Sequence, residues 1–368
     1  MNNFVQERKN KTKKRVLLGM SGGTDSSVAA MILLERGYEV MGTTLWLWDH
    51  NSGDHHCSKP PIFINEAQEL AMQLGIPHQV IDAREVFQES VVQHFIQEYL
   101  QGRTPSPCIH CNPNVKWKLL LDKANEWECD YIATGHYVNI VPYKNNYYIH
   151  KGADQTKDQS YFLWNLPQEI LKRTLTPLGP YTKNEVRAIA QKHGYPTLAT
   201  KKESMGVCFV DNMDYRDFLR SKIPDLDSRI GRGIITDEMG NTLGHHDGYP
   251  YYTIGQKRGL ELNKKDGLMV SRIVPKSNTL ILDTRENLNR TTLLVSDYYF
   301  INPKDISSPK ICTIVRGLGL NPQGYSRLIP KSDRLLEVIL ENPAWAIAPG
   351  QPVAFYIEDR LIGGGFAQ

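Results

Sequence analysis

The stretch Val16-Leu17-Leu18-Gly19-Met20-Ser21-Gly22-Gly23-Thr24-Asp25-Ser26-Ser27-Val28 decides the architecture of the first half of this chain. Its apolar residues 16–18 predict a short buried strand that ends at a turn rich in glycine and serine. The apolar positions that follow recur at helical spacing and end before Gly37, which is typical of a helix C-terminus. A strand, a glycine turn and a helix start direct backbone N–H groups and a positive dipole end toward an anion. The stretch therefore predicts a phosphate-binding loop.

The absence of certain residues from this loop limits the kinds of phosphate chemistry that it can support. A Walker loop needs a lysine on the β- and γ-phosphates, and no lysine lies between Arg15 and Glu35. The spacing of the glycines also differs from the dinucleotide fingerprint. The S-G-G-x-D-S string at 21–26 instead resembles the pyrophosphate loop of AMP-forming ATPases, which split ATP at the α-phosphorus. The alternative is an ordinary glycine turn with Asp25 as a helix N-cap.

Composition sets the broad class of the protein. A chain of 368 residues predicts two or three domains, on a prior of roughly 150 residues each. Its 43 basic and 40 acidic residues give a net charge of only +3, so a nucleic-acid partner would have to be met by local patches. No apolar run approaches the roughly 20 residues that cross a bilayer, and the polar N-terminus is not a secretory signal. Six unevenly spaced cysteines predict reduced thiols, and we expect a cytoplasmic location without membrane contact.

The pattern of elements predicts an α/β domain followed by β-rich domains. Strand-like segments at 39–48, 79–81 and 131–137 alternate with helical segments, which favours a Rossmann-like parallel sheet. We expect an ATP pyrophosphatase catalytic domain at 1–213 and a small central β-rich domain at 214–276. Short β-branched runs from 277 to 368, beginning with 280–282, predict an antiparallel β-barrel.

Two cysteine-containing segments point to thiol chemistry. The first is Pro105-Ser106-Pro107-Cys108-Ile109-His110-Cys111, in which the prolines predict an extended approach to a helix that begins near Asn114. Cysteines at a helix N-terminus have a lowered thiol pKa. The C-x-x-C motif suits a redox pair, half of a zinc site or part of an iron–sulfur site. The second segment places Cys208 in a strand-like stretch, with Lys201, Lys202 and Ser204 nearby for a negatively charged intermediate.

Taken together, these motifs resemble the bacterial tRNA-specific 2-thiouridylase family, in a variant with C-x-x-C where many members have D-x-x-C. The resemblance extends from Lys14 to the glycines at 363–365. The motifs that carry it are the loop at 19–27, the segments 104–112, 133–137, 157–163 and 204–209, and Gly255-Gln256-Lys257-Arg258-Gly259-Leu260. The family carries out ATP-dependent exchange of oxygen for sulfur at C2 of the wobble uridine of tRNA. Its mechanism adenylates the oxygen with loss of pyrophosphate, and sulfur then displaces AMP.

The resemblance also implies site residues. Cys111 corresponds to the nucleophile and Cys208 to the residue that carries a persulfide from a donor protein, and the two would form a disulfide after sulfur delivery. ATP, with Mg²⁺, would meet Gly19, Met20, Ser21, Gly22, Gly23, Thr24, Asp25, Ser26, Leu45 and Gly135. The target base would meet Ser106, Pro107 and Cys108. Further tRNA contacts would come from His136, Lys157, Asp158, Gln159, Arg316 and Gln351, and Gly317 stands where the family has a tyrosine.

The C-x-x-C motif, in place of the family's more common D-x-x-C, makes a second mechanism of sulfur delivery possible. Cys108, Cys111 and Cys208 form a trio that would suit a [4Fe–4S] cluster with one iron open to exogenous sulfide. The resemblance therefore leaves two alternatives, a persulfide on a cysteine and a sulfide on a cluster. The sulfur source is accordingly a donor protein or sulfide itself.

Two other functional classes compete with this interpretation. An amidotransferase-type ligase with a pyrophosphate loop would use ammonia on a small adenylated substrate, but it needs neither the cysteines nor an RNA-facing barrel. A non-enzymatic RNA-binding protein would not need an intact loop beside reactive cysteines. Two lesser features have plainer explanations: the 49–57 segment, with two histidines and a cysteine, suits a solvated loop more than a metal site, and the basic arm at 1–15 suits a frayed tail.

Overall fold

The computed structural model describes residues 13–49, 60–202, 206–210, 213–262, 267–316 and 321–368. Most of the basic arm, the 50–57 part of the histidine-containing segment, Ser204 and Gly317 lie outside these residues. Within the described ranges, no helix combines the length and apolar character needed to cross a bilayer.

The chain begins with alternating strands and helices. These are β1 (Arg15–Gly19), α1 (Thr24–Glu35), β2 (Glu39–Trp46), α2 (Ile62–Gln73) and β3 (His78–Asp82). The β1 side chains of Val16, Leu17 and Leu18 are fully buried. A continuous apolar run therefore forms a strand that is covered on both faces, as parallel sheets require.

The next helices carry the cysteine motif and contain two wider turns. They are α3 (Arg84–Phe87), a π-helical turn (Gln88–Val92), α4 (Gln93–Leu100), α5 (Pro107–Cys111), a second π-helical turn (Asn112–Lys116) and α6 (Trp117–Glu126). The expected helix start near Asn114 is wrong, because Pro107 stands in the first turn of α5, where a missing N–H costs nothing. Pro113 lies in the second π-helical turn. Because proline cannot donate a backbone hydrogen bond, it favours an irregular helix at this point.

The N-terminal part of the chain, called the catalytic half below after the domain expected from the sequence, continues with a short strand, a hairpin and further helices. They are β4 (Tyr131–Ala133), β5 (Val138–Tyr143), β6 (Asn146–Lys151), α7 (Gln168–Arg173), β7 (Thr174–Leu175), α8 (Lys183–Lys192), α9 (Pro196–Thr200), α10 (Tyr215–Lys222) and α11 (Leu226–Ile230). At the start of α8, Thr182 and Glu185 form the capping box that their spacing predicts.

The first sheet is parallel, with strand order β3-β2-β1-β4-β7. The chain moves outward from β1 to β3 on one side and then returns to place β4 on the other side of β1. In such sheets the ligand crevice opens where the strand order reverses, at the carboxyl ends of the strands. This confirms the predicted Rossmann-like sheet and places the glycine loop at its crevice.

A second, mostly antiparallel sheet follows. Its strands are β8 (Gly233–Thr236), β9 (Thr242–His246), β10 (Glu261–Leu262), β11 (Met269–Val274) and β12 (Thr279–Asp283), in the order β10-β9-β8-β12-β11. The assignment of 280–282 to the barrel is wrong, since β12 pairs with β8 and β11 here. The expected boundary at 276 thus falls between two paired strands of one sheet. Alternation of apolar residues predicts a strand but not its partner.

The last part of the chain forms a closed antiparallel barrel, as predicted. Its strands are β13 (Asn289–Phe300), β14 (Ile311–Ile314), β15 (Ser326–Ser332), β16 (Leu335–Trp345), β17 (Pro352–Ile357) and β18 (Arg360–Ala367). They follow the order β13-β16-β15-β14-β17-β18, and β18 pairs back with β13 to close the ring. Outside the ring, β6 of the hairpin pairs with β18, so the barrel is hydrogen-bonded to the catalytic half.

Glycines in β18 allow the catalytic half to approach the barrel closely. A Cβ atom added at Gly364 would lie 2.5 Å from the Trp164 ring and 2.7 Å from the Val353 carbonyl oxygen. Trp164 itself is buried and meets Phe366 edge to face. The indole therefore packs directly against the backbone of the strand.

We expect Gly364→Ala to lower the free energy of unfolding by about 1–3 kcal/mol, because the added methyl group overpacks a full core. Thermal unfolding followed by circular dichroism measures this loss. The same substitution is also made in a Trp164→Leu background. The smaller leucine should relieve part of the clash, so Gly364→Ala should destabilise that background less. An unchanged melting temperature for Gly364→Ala would contradict the close packing.

Candidate functional site

The glycine loop is folded as a cradle around the start of α1. The Ser21 N–H donates to Ser26 Oγ at 3.1 Å, and the Ser27 hydroxyl donates to the Gly23 carbonyl at 2.7 Å. Gly22 has φ +69°, and a Cβ there would lie 2.5 Å from the Phe63 carbonyl oxygen. Gly23, which has no side chain, occupies the N-cap position, so Asp25 is not the cap. The first-turn N–H groups therefore lack a side-chain cap and face the crevice, as an anion site requires.

Two lysines reach this loop from distant parts of the chain. Lys183 Nζ donates to Asp25 Oδ1 at 2.7 Å, and the Tyr137 hydroxyl donates to the same oxygen at 2.7 Å. Lys201 Nζ donates to the Gly22 carbonyl at 3.0 Å and to Glu66 at 2.6 Å. The sequence placed Lys201 with Cys208 and indicated only a structural role for the start of α8, so it missed Lys183. Both cations therefore lie at the loop, where each is bonded to a protein group.

The second wall of the crevice is formed by the end of β4. A Cβ at Gly135 would lie 2.9 Å from both Asp25 C and Ser26 N, so only glycine lets this segment touch the loop. On the other side of β1, the Met20 N–H donates to the Thr43 carbonyl at 2.7 Å. Leu45 follows two residues later on β2 and is half-buried at the same edge of the sheet. The residues that the resemblance implies for the nucleotide therefore lie close together, at the carboxyl ends of β1, β2 and β4.

Three cysteines interact electrostatically with one lysine in the helices that follow β3 and in the turn at 208–210. Cys108 and Cys111 are three residues apart in α5, which puts them on one helix face. The π-helical turn then stacks Lys116 five residues after Cys111. The Lys116 ammonium interacts electrostatically with Cys111, Cys108 and Cys208. The sequence missed Lys116, because a spacing of five does not indicate a shared face on a regular helix.

The predicted activation of Cys111 by a helix N-terminus is wrong in this conformation. Cys111 is the last residue of a five-residue helix and is only 4 % exposed. Burial raises the pKa of Cys111 to about 12, and the nearby Lys116 charge opposes this only in part. Burial also raises the pKa of Cys208, and the positive charge of Lys116 again opposes this shift. Both groups are free thiols in the structure.

Cys208 reaches the site from a turn rather than from the expected strand-like segment. The turn at 208–210 follows Gly206, which has φ +91°. Its neighbour Phe209 is buried and packs its ring within 5.1–5.9 Å of the rings of Phe87, Phe95, Phe218 and Trp48. The aromatic cluster therefore anchors this turn, while the Cys208 side chain remains open to solvent on one side.

His136 connects the crevice to the cysteines. Its ring lies 4.9 Å from the Trp117 ring, centroid to centroid, and its Nδ1 is 3.0 Å from Thr134 Oγ1. Burial, together with the positive charge of Lys116, lowers the pKa of His136 to about 3. At neutral pH this imidazole is uncharged, so it can take part in hydrogen bonds or stacking but cannot pair with a phosphate as a cation.

The other residues implied to meet tRNA already have protein partners. Asp158 accepts hydrogen bonds from the Gly152 N–H and the Ser160 hydroxyl, and the Tyr137 N–H donates to Gln159. Lys157 lines a cavity beside these residues. Asp158 and Gln159 thus shape the segment that follows the hairpin.

Gln351 and Arg316, the two expected tRNA contacts near the barrel, bind the loop before α5 and the region around Trp345. Gln351 Nε2 donates to the Thr104 carbonyl at 2.7 Å, so the barrel braces the loop that ends in Ser106, Pro107 and Cys108. Arg316 donates to the Trp345 and Ala346 carbonyls and stacks 5.0 Å above the Trp345 ring. An aromatic neighbour for Arg316 is therefore present, although it is not the residue next in sequence.

The cysteine trio does not fit a cluster as it stands. Across the described part of the chain, no group of three or more His, Cys, Asp and Glu side chains is close enough to hold a metal ion. All three cysteines belong to that part, and they face the ammonium group of Lys116. The two sulfur alternatives, a persulfide on a cysteine and a sulfide on a cluster, both stay predictions.

Comparison with known families divides the chain into three consecutive matches. Residues 14–212 match the tRNA methyl transferase HUP domain, residues 216–283 the tRNA methyl transferase PRC-barrel domain and residues 290–367 the aminomethyltransferase beta-barrel domain. Among solved structures, a 4-thiouridine synthetase–RNA complex with bound ATP is 14% identical, with a TM-score of 0.36. The alignment covers 58% of this chain and 51% of that chain, and a score this low supports no argument.

Curated relatives match almost the whole chain. The tRNA-specific 2-thiouridylase MnmA 3 of Phocaeicola vulgatus is 45% identical, with 97% of this chain and 95% of the relative covered. The tRNA-specific 2-thiouridylase MnmA of Cytophaga hutchinsonii is 42% identical, with 96% and 97% covered. That of Amoebophilus asiaticus is 40% identical, with 96% and 95% covered. The chain therefore belongs to the tRNA-specific 2-thiouridylase family.

Proposed function

We propose that this protein thiolates C2 of the wobble uridine of tRNA, using ATP to activate the C2 oxygen and cysteine-bound sulfur to replace it. One observation carries the proposal: two contacts between neighbouring residues connect the phosphate loop to Lys116, which interacts electrostatically with the three cysteines. Gly135 touches the loop, and His136 follows it and packs on Trp117. Trp117 comes directly after Lys116, whose ammonium interacts electrostatically with the three thiols. Activation and sulfur transfer can therefore act on one base.

The activation step uses the loop and its two lysines. A uracil oxygen is a poor leaving group, and its attack on the α-phosphorus converts it to an adenylate with release of pyrophosphate. The N–H groups at the start of α1 would bind the leaving pyrophosphate. Lys183 and Lys201 add positive charge where that negative charge develops. Mg²⁺ would be bound by the phosphates and by Asp25, a donor set that it commonly accepts.

The sulfur step uses Cys208 and Cys111. A persulfide on Cys208, formed by sulfur transfer from a donor protein, would attack C2 through its terminal sulfur and expel AMP. Cys111 would then attack Cys208 Sγ. The bond between the two persulfide sulfurs breaks, its electron pair goes to the sulfur on C2, and a Cys111–Cys208 disulfide forms. A dithiol reductant must supply two electrons before the next turnover.

Lys116 has a role of its own in this step. Both reacting sulfurs are negatively charged when they attack, and burial disfavours that charge. The Lys116 ammonium is the positive charge that all three sulfurs share. It would stabilise the thiolate and persulfide forms where they are needed. The cluster alternative also stays a prediction, and a variant of Cys108 tests it below.

The tRNA would be held between the catalytic half and the barrel. The wobble base has to leave its stack to reach a buried site. Ser106, Pro107 and Cys108 form the entrance of α5 next to Cys111, and the barrel braces this entrance through Gln351. Arg316 on Trp345 offers a flat surface of the kind on which unstacked bases pack.

We expect the purified protein, given unmodified tRNA, ATP and a persulfide donor, to form 2-thiouridine together with AMP and pyrophosphate. Mass spectrometry of digested tRNA measures the thiolated nucleoside. Cys111→Ser and Cys208→Ser should each reduce turnover by at least about a thousandfold, because each removes a reacting sulfur. Cys312→Ser, in a barrel strand, is the matched control. AMP formation that ignored tRNA and required ammonia would instead indicate an amidotransferase.

The cluster alternative makes a different prediction for Cys108. If sulfur passes only through Cys208 and Cys111, Cys108→Ser should keep most of its activity in iron-free protein. A loss comparable to that of Cys111→Ser, restored only after anaerobic iron–sulfur reconstitution, would show that the cluster mechanism operates. Activity and visible absorbance of the same samples decide between the two.

Lys116→Met should lower the rate of thiolation by about tenfold to a hundredfold, because one preorganised charge is lost from the transition state. The matched control is Lys118→Met, which removes an exposed lysine from the first turn of α6, two residues further along the chain. Single-turnover thiolation measures the rate, and ATP binding checks that the crevice is intact. Equal rates for the two variants would contradict the role of Lys116.

The raised thiol pKa values predict slow alkylation of Cys111 by iodoacetamide at about pH 8, with a rate that increases steadily toward higher pH. The alkylation rate should increase with pH because only the thiolate reacts, and a raised pKa keeps the thiol protonated at lower pH. Exposed Cys108 should react first. Lys116→Met should slow the alkylation of Cys208 further, since removal of the cation raises its pKa. Site-resolved mass spectrometry measures all three rates, and rapid modification of Cys111 near neutrality would contradict the structure.

A further inference from the structure

Four side chains form one connected network where β2 and β3 end, and the steps above do not use it. They are Trp46, the last residue of β2, Asp49, which follows that strand, Asp82, the last residue of β3, and Arg84, the first residue of α3. The two strands are neighbours in the parallel sheet, and Trp46 lies opposite Asp82. The network therefore lies at the carboxyl edge of the sheet, where folds of this kind bind their ligands.

Arg84 is the centre of this network. Its Nε and Nη2 donate to the two carboxylate oxygens of Asp82 at 2.9 and 2.6 Å, and its Nη1 donates to Asp49 Oδ2 at 2.8 Å. Its guanidinium carbon lies 3.9 Å from the centre of the Trp46 ring. The Trp46 Nε1–H donates to Asp49 Oδ1 at 2.8 Å. One planar cation thus connects the ends of two strands.

These contacts exceed those of an isolated surface ion pair. Such a pair contributes little, because two long side chains must be ordered in water. Here the pairing with Asp82 uses both carboxylate oxygens, and the guanidinium also stacks on an indole, a combination that lysine cannot reproduce. The side chains of Arg84 and Asp49 are only 28 % and 14 % exposed. The network is therefore suited to hold a fixed geometry at this edge of the sheet.

The network holds the segment next to the expected adenine position. Leu45, whose backbone the family resemblance assigns to adenine, directly precedes Trp46 and pairs with Ile81. The Ala83 N–H donates to the Trp46 carbonyl at 2.9 Å. A displacement of Trp46 would therefore move the Leu45 backbone with it. The glycine loop is held by hydrogen bonds of its own, so the network should affect the nucleoside end of ATP and not its phosphates.

We propose that Arg84 is a positioning residue for ATP, which acts through Trp46 to fix the end of β2 where the nucleoside is bound. The inference rests on the proposed function, since it takes ATP as the substrate and places adenine at Leu45. Loss of Arg84 should weaken every ligand that carries the nucleoside and leave a ligand of the loop alone unaffected. A residue that only stabilised the fold would not separate these two kinds of ligand.

The test compares full-length Arg84→Gln with Arg36→Gln, which removes an exposed arginine at the C-terminus of α1. Calorimetry measures the binding of ATP and AMP, which carry the nucleoside, and of inorganic pyrophosphate, which carries only phosphates. Steady-state thiolation gives kcat and the KM for ATP. Melting temperatures without ligand measure any change in stability.

Arg84→Gln should weaken the binding of ATP and AMP by about fivefold to tenfold, the effect of losing one or two net hydrogen bonds. Its KM for ATP should rise by a similar factor, while its pyrophosphate affinity and its kcat should match those of Arg36→Gln. Arg84→Lys keeps the charge but loses the two-pronged pairing and the stacked plane. It should therefore bind ATP as weakly as Arg84→Gln, to within about twofold.

Three results would overturn the positioning role. Equal losses of ATP and pyrophosphate affinity would show general damage to the crevice, and unchanged ATP and AMP affinity would show that the network acts only on the fold. Wild-type ATP affinity in Arg84→Lys would leave charge as the only contribution. If Arg84→Gln does not fold, Trp46→Phe, which keeps a ring and removes the hydrogen bond to Asp49, should show the same separation of ATP from pyrophosphate.

Failure of the proposed function gives a different result. Wild-type protein that binds ATP and pyrophosphate but forms no 2-thiouridine would remove the assigned reaction. The difference in ATP and AMP binding between Arg84→Gln and Arg36→Gln would still establish the positioning role. Normal thiolation with the same KM for ATP in both variants would overturn the inference and leave the proposed function in place.

Discussion

The close approach of Gly135 to the first turn of α1 is the constraint on which the rest of the site depends. Two strands that are far apart in sequence end side by side in the parallel sheet, and a side chain at Gly135 would collide with the backbone of Asp25 and Ser26. This contact holds the phosphate loop against β4. It also fixes the direction in which the chain leaves β4, and so the position of His136 on Trp117. Backbone packing thereby connects the glycine loop to the start of α6.

The sulfur part is built from an irregular helix and an anchored turn. A regular helix would rotate Lys116 away from Cys111, whereas the π-helical turn around Pro113 keeps the two on one face. Phe209, packed among four aromatic rings, holds Cys208 at the edge of the same region. Burial keeps the resting thiols protonated, and Lys116 favours their charged forms.

The barrel contributes positioning more than chemistry. It is hydrogen-bonded to the hairpin through β18, it packs its glycines against Trp164, and Gln351 holds the loop that leads into α5. His110, between the two cysteines of the motif, stacks on Phe366 of the last strand. The C-terminal half therefore supports the helix that carries Cys108 and Cys111. A substrate held by the barrel would be aligned with those thiols.

The sequence by itself determined the parallel sheet, the phosphate loop, the capping box of α8 and the family, because each depends on local spacing or on short motifs. It also singled out Cys111, Cys208 and the nucleotide residues as candidates. Only the tertiary structure decided that β12 pairs in the second sheet, that α5 begins at Pro107, and that Lys116 and Lys183 belong to the site. It also reversed the expected pKa shift of Cys111. The physical reason is the same in each case: strand partners, burial and long-range ion pairs depend on residues brought together by folding, and local spacing carries no information about them.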